Sequence, residues 1–263
     1  MLDLEFYCNR VREIALEAGA FLKEERLRFS IDLVEEKSSH NYVSYVDKES
    51  ERRLVEKLSE LLPQSGFIAE EGTVALADEK LYWVIDPLDG TTNYIHDSAP
   101  YCVSIALRNR EELLLGVVYE VCRDELYYAY KGSKAFLNGQ EINVSDVKDL
   151  DKAFIGLGLP YNFTAYKPIA NHLLEELYGE AGGIRILGSA AVEICYIAAG
   201  RFEARIEAFL GAWDVAAAAI ILKQAGGSIT DFKGSENFYS GEEVLASNGL
   251  IHSELLKIMN SLR

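Results

Sequence analysis

The stretch Trp83-Val84-Ile85-Asp86-Pro87-Leu88-Asp89-Gly90-Thr91-Thr92-Asn93-Tyr94 decides how the rest of the chain is read. Its opening residues are an apolar run rich in β-branched and aromatic side chains, the pattern of a buried strand. Pro87 presets φ and Gly90 frees the backbone from steric limits, so a tight turn is expected where the strand ends at Asp86. Two carboxylates, Asp86 and Asp89, would then meet at one turn. The same turn exposes the Leu88 carbonyl and, beyond Gly90, consecutive amides of Thr91 and Thr92 that can point at an anion, as backbone nests and helix N-termini do. Oxygen ligands grouped in this way suit a hard divalent cation. Mg²⁺ in particular takes a few carboxylates and fills its remaining positions with water and substrate phosphate.

Acids elsewhere strengthen that reading. Phe67-Ile68-Ala69-Glu70-Glu71-Gly72 sets paired glutamates at the end of another short strand, and Trp213-Asp214-Val215 sets an acid where a helix rich in Ala, Ile and Leu begins. Taken singly, an Asp at a helix start is ordinarily a cap, D-P-x-D-G is ordinarily a solvated turn, and Glu71 reads as a flanking surface acid. Taken together, acids from three segments can converge at the carboxyl edge of a sheet, where they would repel one another unless cations compensate.

The remainder of the chain narrows the choice. Its 263 residues carry 26 Lys and Arg against 42 Asp and Glu, a formal charge of −16. Direct nucleic-acid binding is disfavoured, because phosphate backbones are held by clusters of Lys and Arg, and an anionic membrane surface is disfavoured likewise. A phosphorylated small molecule is compatible with an acidic protein if metal ions reverse the local sign of charge. The apolar run Val215 to Leu222, bounded by Asp214 and Lys223, falls far short of the roughly 18 residues of a membrane helix. The opening MLDLEFYCNR has acids within its first five residues and no basic region leading into an apolar stretch. No secretory signal is expected, and the cytoplasm is the expected compartment. Cys8, Cys102, Cys122 and Cys195 form no C-x-x-C pair and sit in apolar stretches, so reduced, buried thiols are expected.

Apolar residues at Tyr7, Val11, Ile14, Ala18 and Phe21 recur at helical spacing. A second helix is expected from about Asp47 to Leu62, with Leu54, Leu58 and Leu61 on one face, Asp47 as its N-cap and Pro63 beyond its end. Strands are expected over Gly66 to Ala69, Leu81 to Ile85, Tyr101 to Leu107, Leu113 to Val121 and Glu125 to Tyr130, with a hairpin turn at Asn138-Gly139. After about residue 150 the pattern alternates. Strands near Phe154, Ile184 and 202–206 are interleaved with helices near 165–178, 189–199 and 214–225, an α/β rhythm. No Pro/Gly/Ser linker separates the halves. The expectation is one unit over 1–263, with an α+β N-terminal portion to about 145 and an α/β C-terminal portion from about 146.

Other chemistries are set aside. Gly156-Leu157-Gly158 begins like a dinucleotide fingerprint, but Tyr161 stands where the third glycine belongs. There is no Walker A sequence and no G-x-S-x-G elbow, and His40, His96, His172 and His252 lack metal-ligand spacing.

At these residues the chain resembles the inositol monophosphatase family of Mg²⁺-dependent, lithium-sensitive sugar phosphatases. The resemblance runs through Glu70-Glu71, Trp83-x-Ile85-Asp86-Pro87-x-Asp89-Gly90-Thr91-Thr92-Asn93, Gly188-Ser189-Ala190-Ala191, Trp213-Asp214-Val215-Ala216-Ala217 and Ala225-Gly226-Gly227, in that order. It implies a layered α-β-α-β-α sandwich and two to three Mg²⁺ ions. One ion would be held by Glu70, Asp86 and the Leu88 carbonyl, a second by Asp86, Asp89 and Asp214, and a weaker third by Glu70 and water. Asp89, Gly90, Thr91 and Thr92 would face the phosphorylated substrate, with Glu70, Thr91 and Asp47 serving catalysis. Glu207 falls where relatives that accept inositol use a carboxylate for ring hydroxyls, although an ion pair with Arg205 is the other reading. Ala190 would add a backbone contact, and Lys37 would stand near Thr91 and the metals.

The resemblance also implies a homodimer and a small phosphorylated polyol or sugar as substrate. Inositol 1-phosphate comes first, with fructose 1,6-bisphosphate and adenosine 3′,5′-bisphosphate as alternatives. A protein that binds the transcription machinery without essential catalysis is the other class to weigh. One departure stands out: where relatives commonly read D-x-V-T before the equivalent of Asp47, this chain has Asn41-Tyr42-Val43-Ser44.

Overall fold

The computed structural model describes residues 2–30, 34–38, 41–74 and 78–261, and for residues 36–38 and 41–42 the backbone alone. The side chains of Lys37 and Asn41 therefore lie outside the described residues. Helix α1 (Leu4–Arg26) begins where Asp3 accepts the Phe6 N–H at 3.0 Å, and it buries Val11, Ala15, Ala18 and Leu22 along one face. Strands β1 (Val34–Ser38) and β2 (Asn41–Ser44) form an antiparallel pair ahead of α2 (Tyr45–Leu61). A seven-stranded sheet follows from β3 (Gly66–Ala69), β4 (Leu81–Asp89), β5 (Cys102–Asn109), β6 (Leu113–Glu120), β7 (Glu125–Tyr130), β8 (Ala135–Leu137) and β9 (Gln140–Ile142). These strands lie in sequence order, and a short helix α3 (Thr91–Ile95) is inserted after β4. Only the β3–β4 pair in this sheet is parallel.

The second half alternates β10 (Phe154–Leu157), α4 (Phe163–Leu177), β11 (Gly183–Arg185), α5 (Ala190–Ala198), β12 (Ala204–Ala208) and α6 (Ala212–Gln224). It closes with β13 (Ser228–Thr230), β14 (Glu243–Ser247) and α7 (His252–Ser261). Its five strands are ordered β11-β10-β12-β14-β13, with β10 parallel to both neighbours and β14 antiparallel to both of its own.

Period-2 side-chain alternation turns these sheets into five layers. Trp83 and Ile85 of β4 face α1 and α2, in a core with Val11, Leu22, Leu54 and Leu58. Val84, between them, faces the opposite way and joins α5 and α6, which are sandwiched between the sheets and meet Val244 and Ala246 of β14. Ile155, Leu157, Ala204 and Ile206 face outward onto α4 and α7. The order is α-β-α-β-α. Helix α6 fills the middle, so Val215 through Leu222 are buried without a polar stripe. A helix apolar all round is the expected solution for that position, and each fully buried Ile or Leu contributes about 1.5–3 kcal/mol.

Three sequence expectations need correction. Helix α2 starts two residues before Asp47. Ser44, in extended conformation, is the N-cap, and Asp47 sits at the third helical position, closing a capping box in which its carboxylate accepts the Ser44 N–H at 2.8 Å. Strand β4 does not end at Asp86 but continues to Asp89. Asp86 pairs with Ser104 and Asp89 with Cys102, so three steps on β4 match two on β5. Pro87, which has no N–H to give a ladder, is accommodated in that bulge. Residues three apart on a regular strand point to opposite faces; the extra residue brings both carboxylates to one face. Cys122, finally, is exposed, whereas Cys8, Cys102 and Cys195 are buried as expected, and all four thiols are free.

Candidate active site

The bulge at the end of β4 and the start of α6 place Asp86, Asp89 and Asp214 with one oxygen of each within 4.8 Å of the others. Asp214 takes the third position of α6 and accepts the Gly211 N–H at 2.6 Å through Oδ2. Capping and clustering thus coexist in one side chain. Asp89 accepts from Ser189 Oγ at 2.6 Å and from the Ala191 and Ala190 amides at 2.8 and 3.3 Å, so the first turn of α5 holds it. Asp86 accepts the Leu88 N–H at 2.9 Å through Oδ1, while its buried Oδ2 meets no hydrogen-bond donor among the described residues.

Burial, and then the charges of Glu70, Asp89 and Asp214, pushes the Asp86 carboxyl well above the usual carboxylate range. Burial followed by Asp89 and Glu70 does the same to Asp214. Burial also raises Asp89, less strongly, because Ser189, the Ala191 amide and the Arg205 guanidinium favour its charged form. Crowded acids with an orphaned acceptor are what a divalent cation relieves, and the all-oxygen donor set suits Mg²⁺. The residues fit the ion.

Glu70, at the end of β3, lines the same cleft with Leu88, Gly90, Thr91, Ala190 and Glu207. The loop after it is held from below by Glu51 of α2. This fully buried carboxylate accepts the Glu71 and Thr73 N–H groups at 2.7 and 2.8 Å and the Thr73 hydroxyl at 2.7 Å. Gly90 adopts φ +91°, and a Cβ there would meet the Pro100 carbonyl at 2.9 Å, so only glycine serves. Thr91 Oγ lies 3.0 Å from Asp47 Oδ1 and 3.1 Å from the Leu88 carbonyl. Thr92 instead shares a hydrogen bond with Tyr161 at the rim.

Glu207 pairs with Arg205, the ion-pair reading, and also lines the cleft. Sequence reasoning gave no role to Glu51, Ser189, Glu193 and Tyr161, and named Arg205 only as the ion-pair partner of Glu207. Ser189 had a signal, the Gly188-Ser189-Ala190-Ala191 run; Glu51, Glu193 and Tyr161 matter through contacts that only the fold brings together.

The inositol monophosphatase family model matches residues 3–263. The chain belongs to that family. It is 35% identical over 252 residues to the inositol-1-monophosphatase of Mesorhizobium japonicum, covering 95% of this chain and 94% of that one. It is 36% identical over 233 residues to the fructose-1,6-bisphosphatase/inositol-1-monophosphatase of Thermotoga maritima, covering 88% of each. Among solved structures, the extragenic suppressor protein suhB of Bartonella henselae superposes with a TM-score of 0.89 at 32% identity, covering 95% of this chain and 97% of that one. The superposed structure shares the layered sandwich. No described helix is long and apolar enough to cross a membrane.

Proposed function

We propose that this family member is a Mg²⁺-dependent phosphate monoester hydrolase whose preferred substrate is a small phosphorylated polyol, inositol 1-phosphate first. The observation that carries the reading is the convergence of Asp86, Asp89 and Asp214, with Asp86 Oδ2 buried and lacking a donor. Asp86, Asp89, Asp214, Glu70 and the Leu88 carbonyl would hold two to three ions. Since β4 and α6 both supply ligands, the two portions of the chain would work as one unit.

Mg²⁺ bound there supplies charge neutralisation for the phosphate and acidification of water, the usual contribution of such sites. The protein's own groups do the rest. Thr91 has one hydroxyl hydrogen, and Asp47 is its acceptor once the Leu88 carbonyl serves as ligand. The Thr91 oxygen is then turned to accept a hydrogen bond from a water oriented by Glu70, and as that water gives its proton to Thr91 the Thr91 hydroxyl proton passes to Asp47. That water's oxygen forms the new bond to phosphorus, the ester P–O bond breaks, and the departing alkoxide takes a proton from solvent. Gly90 and Thr91 amides would receive phosphate oxygens, Ala190 and Thr92 would border the substrate, and Glu207 would accept hydrogen bonds from its hydroxyls. The Ala190 N–H already donates to Asp89, so the part of Ala190 that meets substrate would be its remaining surface.

The deciding experiment measures phosphate release from inositol 1-phosphate, fructose 1,6-bisphosphate, adenosine 3′,5′-bisphosphate and glycerol phosphate, with Mg²⁺ and with a chelator. Mg²⁺-dependent turnover, highest on inositol 1-phosphate and abolished by Asp86→Asn, is expected. No turnover on any of the four, or turnover indifferent to the chelator, would remove the proposal. A relative known as a suppressor protein raises the alternative of a binding role without catalysis. The four acids at hand, Glu70, Asp86, Asp89 and Asp214, support the enzyme.

A further inference from the structure

Below the floor of the cleft lies a charged ladder that contributes none of the proposed metal ligands. Arg205 of β12 is 2% exposed and pairs on one side with Glu193 of α5, which is fully buried, and on the other with Glu207, which faces the cleft. Two carboxylates and one guanidinium carry a net charge of −1. Among the described residues that line the cleft, Arg205 is the one cation.

The chain makes room for this ladder deliberately. Gly156 of β10 pairs in register with Arg205, and the Gly158 N–H donates to the Ile206 carbonyl at 2.9 Å, so the two glycines follow the face that bears Arg205 and Glu207. A Cβ at Gly156 would come within 2.3 Å of Glu193 Oε2, and one at Gly158 within 2.0 Å of the Glu207 carboxyl carbon. Gly156-Leu157-Gly158, which resembles the start of a nucleotide-binding loop, is here a channel for side-chain carboxylates.

Resting on the phosphatase reading, we infer that Arg205 and Glu193 are positioning and specificity-determining residues. They fix Glu207 as a single, aimed hydrogen-bond acceptor, and they hold the floor of the cleft at net −1, which selects a monophosphorylated polyol over a substrate with a second phosphate. Arg205 is too deeply buried to meet substrate itself. Its guanidinium presents donors in a rigid fork, so Glu207 cannot swing away, and the charge of Glu193 prevents Arg205 from presenting a cation to a second phosphate.

Two variants separate charge from aim. Glu193→Gln takes the ladder from −1 to 0 without touching the cleft. The ratio of kcat/KM for fructose 1,6-bisphosphate to that for inositol 1-phosphate should rise about tenfold, the effect of one charge over several ångströms at an effective dielectric constant near 20. Turnover of p-nitrophenyl phosphate should stay within about twofold. Adding Arg205→Met restores −1 but releases Glu207. The ratio should fall back while KM for inositol 1-phosphate rises at least fivefold with kcat kept. If either variant fails to accumulate folded by thermal melt, Arg205→Lys replaces it; lysine reaches one carboxylate only, and the same KM rise with unchanged kcat is expected. An unchanged ratio in Glu193→Gln, or equal losses on all three substrates, overturns the inference. A wild-type protein inactive even on p-nitrophenyl phosphate would instead overturn the phosphatase reading.

Discussion

Thr91 Oγ stands 3.0 Å from Asp47 Oδ1, joining the first turn after β4 to the first turn of α2 across 44 positions of sequence. The second oxygen of Asp47 accepts both the amide and the hydroxyl of Ser44, at 2.8 and 2.6 Å. The carboxylate that caps α2 is therefore the one that fixes the Thr91 rotor. Thr91→Ala should lower kcat by about 10²- to 10⁴-fold, the range for loss of a proton-transfer partner, and leave Mg²⁺ affinity within threefold. Asp47→Asn should do much the same, and the double variant should lose little more, because the pair acts as a unit. Steady-state kinetics with calorimetry reads both quantities. Matching losses in turnover and affinity would make Thr91 a ligand rather than a proton acceptor.

Glu51 gives a second test at a distance from the reacting atoms. Its two oxygens accept three donors from the segment after Glu70, and Gln would turn one acceptor into a donor facing an N–H. Glu51→Gln should cost about 1–3 kcal/mol in stability and weaken Mg²⁺ binding by 10- to 100-fold, as changes behind metal ligands do. The exposed pair of Glu49 with Arg52 on the same helix is the control, since such pairs contribute ~0–1 kcal/mol. Unchanged Mg²⁺ affinity in Glu51→Gln would show that Glu70 is placed by β3 alone.

A pH effect is expected from His252, whose Nδ1 is 2.8 Å from Ser247 Oγ and whose Nε2 is 3.0 Å from Thr230 Oγ. Burial lowers its pKa below 6.5. The folded state then binds fewer protons than the unfolded chain, so stability is constant above pH 6.5 and falls as pH drops below it. His252→Gln should melt lower than wild type at pH 7.5, through lost hydrogen bonds, yet lose less between pH 7 and pH 5. The smaller loss should be roughly 1 kcal/mol for each unit of pKa depression removed. Comparing the two proteins at each pH cancels every other titrating group. Parallel curves would mean that His252 charges without penalty.

What could be read from the sequence followed from pattern strength. Asp86, Asp89, Asp214 and Glu70 each lie in or beside an element with marked periodicity or composition, so their places near strand ends and at a helix start were legible. The bulge at Pro87 was not, because a register shift is fixed by the partner strand, and a strand with Pro near its end resembles a turn. Asp47 looked like an N-cap because S-x-x-D places two capping residues three apart, and only geometry shows that Ser44 leads. Strands β1, β2, β13 and β14 and helix α7 escaped notice, being short or weakly patterned and ordered by packing. The Arg205–Glu207 pair was legible from its spacing, but Glu193 was invisible in principle: it is an ordinary charge until the fold sets it against Arg205 and Gly156.

Asp214 offers the sharpest separation of stability from ligand binding. Removing one of three crowded carboxylates relieves repulsion, while an Asn oxygen can still accept the Gly211 N–H that Asp214 accepts at 2.6 Å. Asp214→Asn without metal should therefore melt no lower than wild type and as much as ~2–4 °C higher, the shift corresponding to about 1 kcal/mol in a chain of this size. With Mg²⁺ the order should reverse. Wild type gains about 2.7 kcal/mol when the ion is at a hundred times its dissociation constant, and the variant, lacking one ligand of the cluster, should gain almost nothing at the same concentration. Melting curves across a Mg²⁺ titration, with Ca²⁺ in parallel, read the effect directly. An equal Mg²⁺-induced shift in both proteins would place the ion elsewhere and reduce Asp214 to a helix cap.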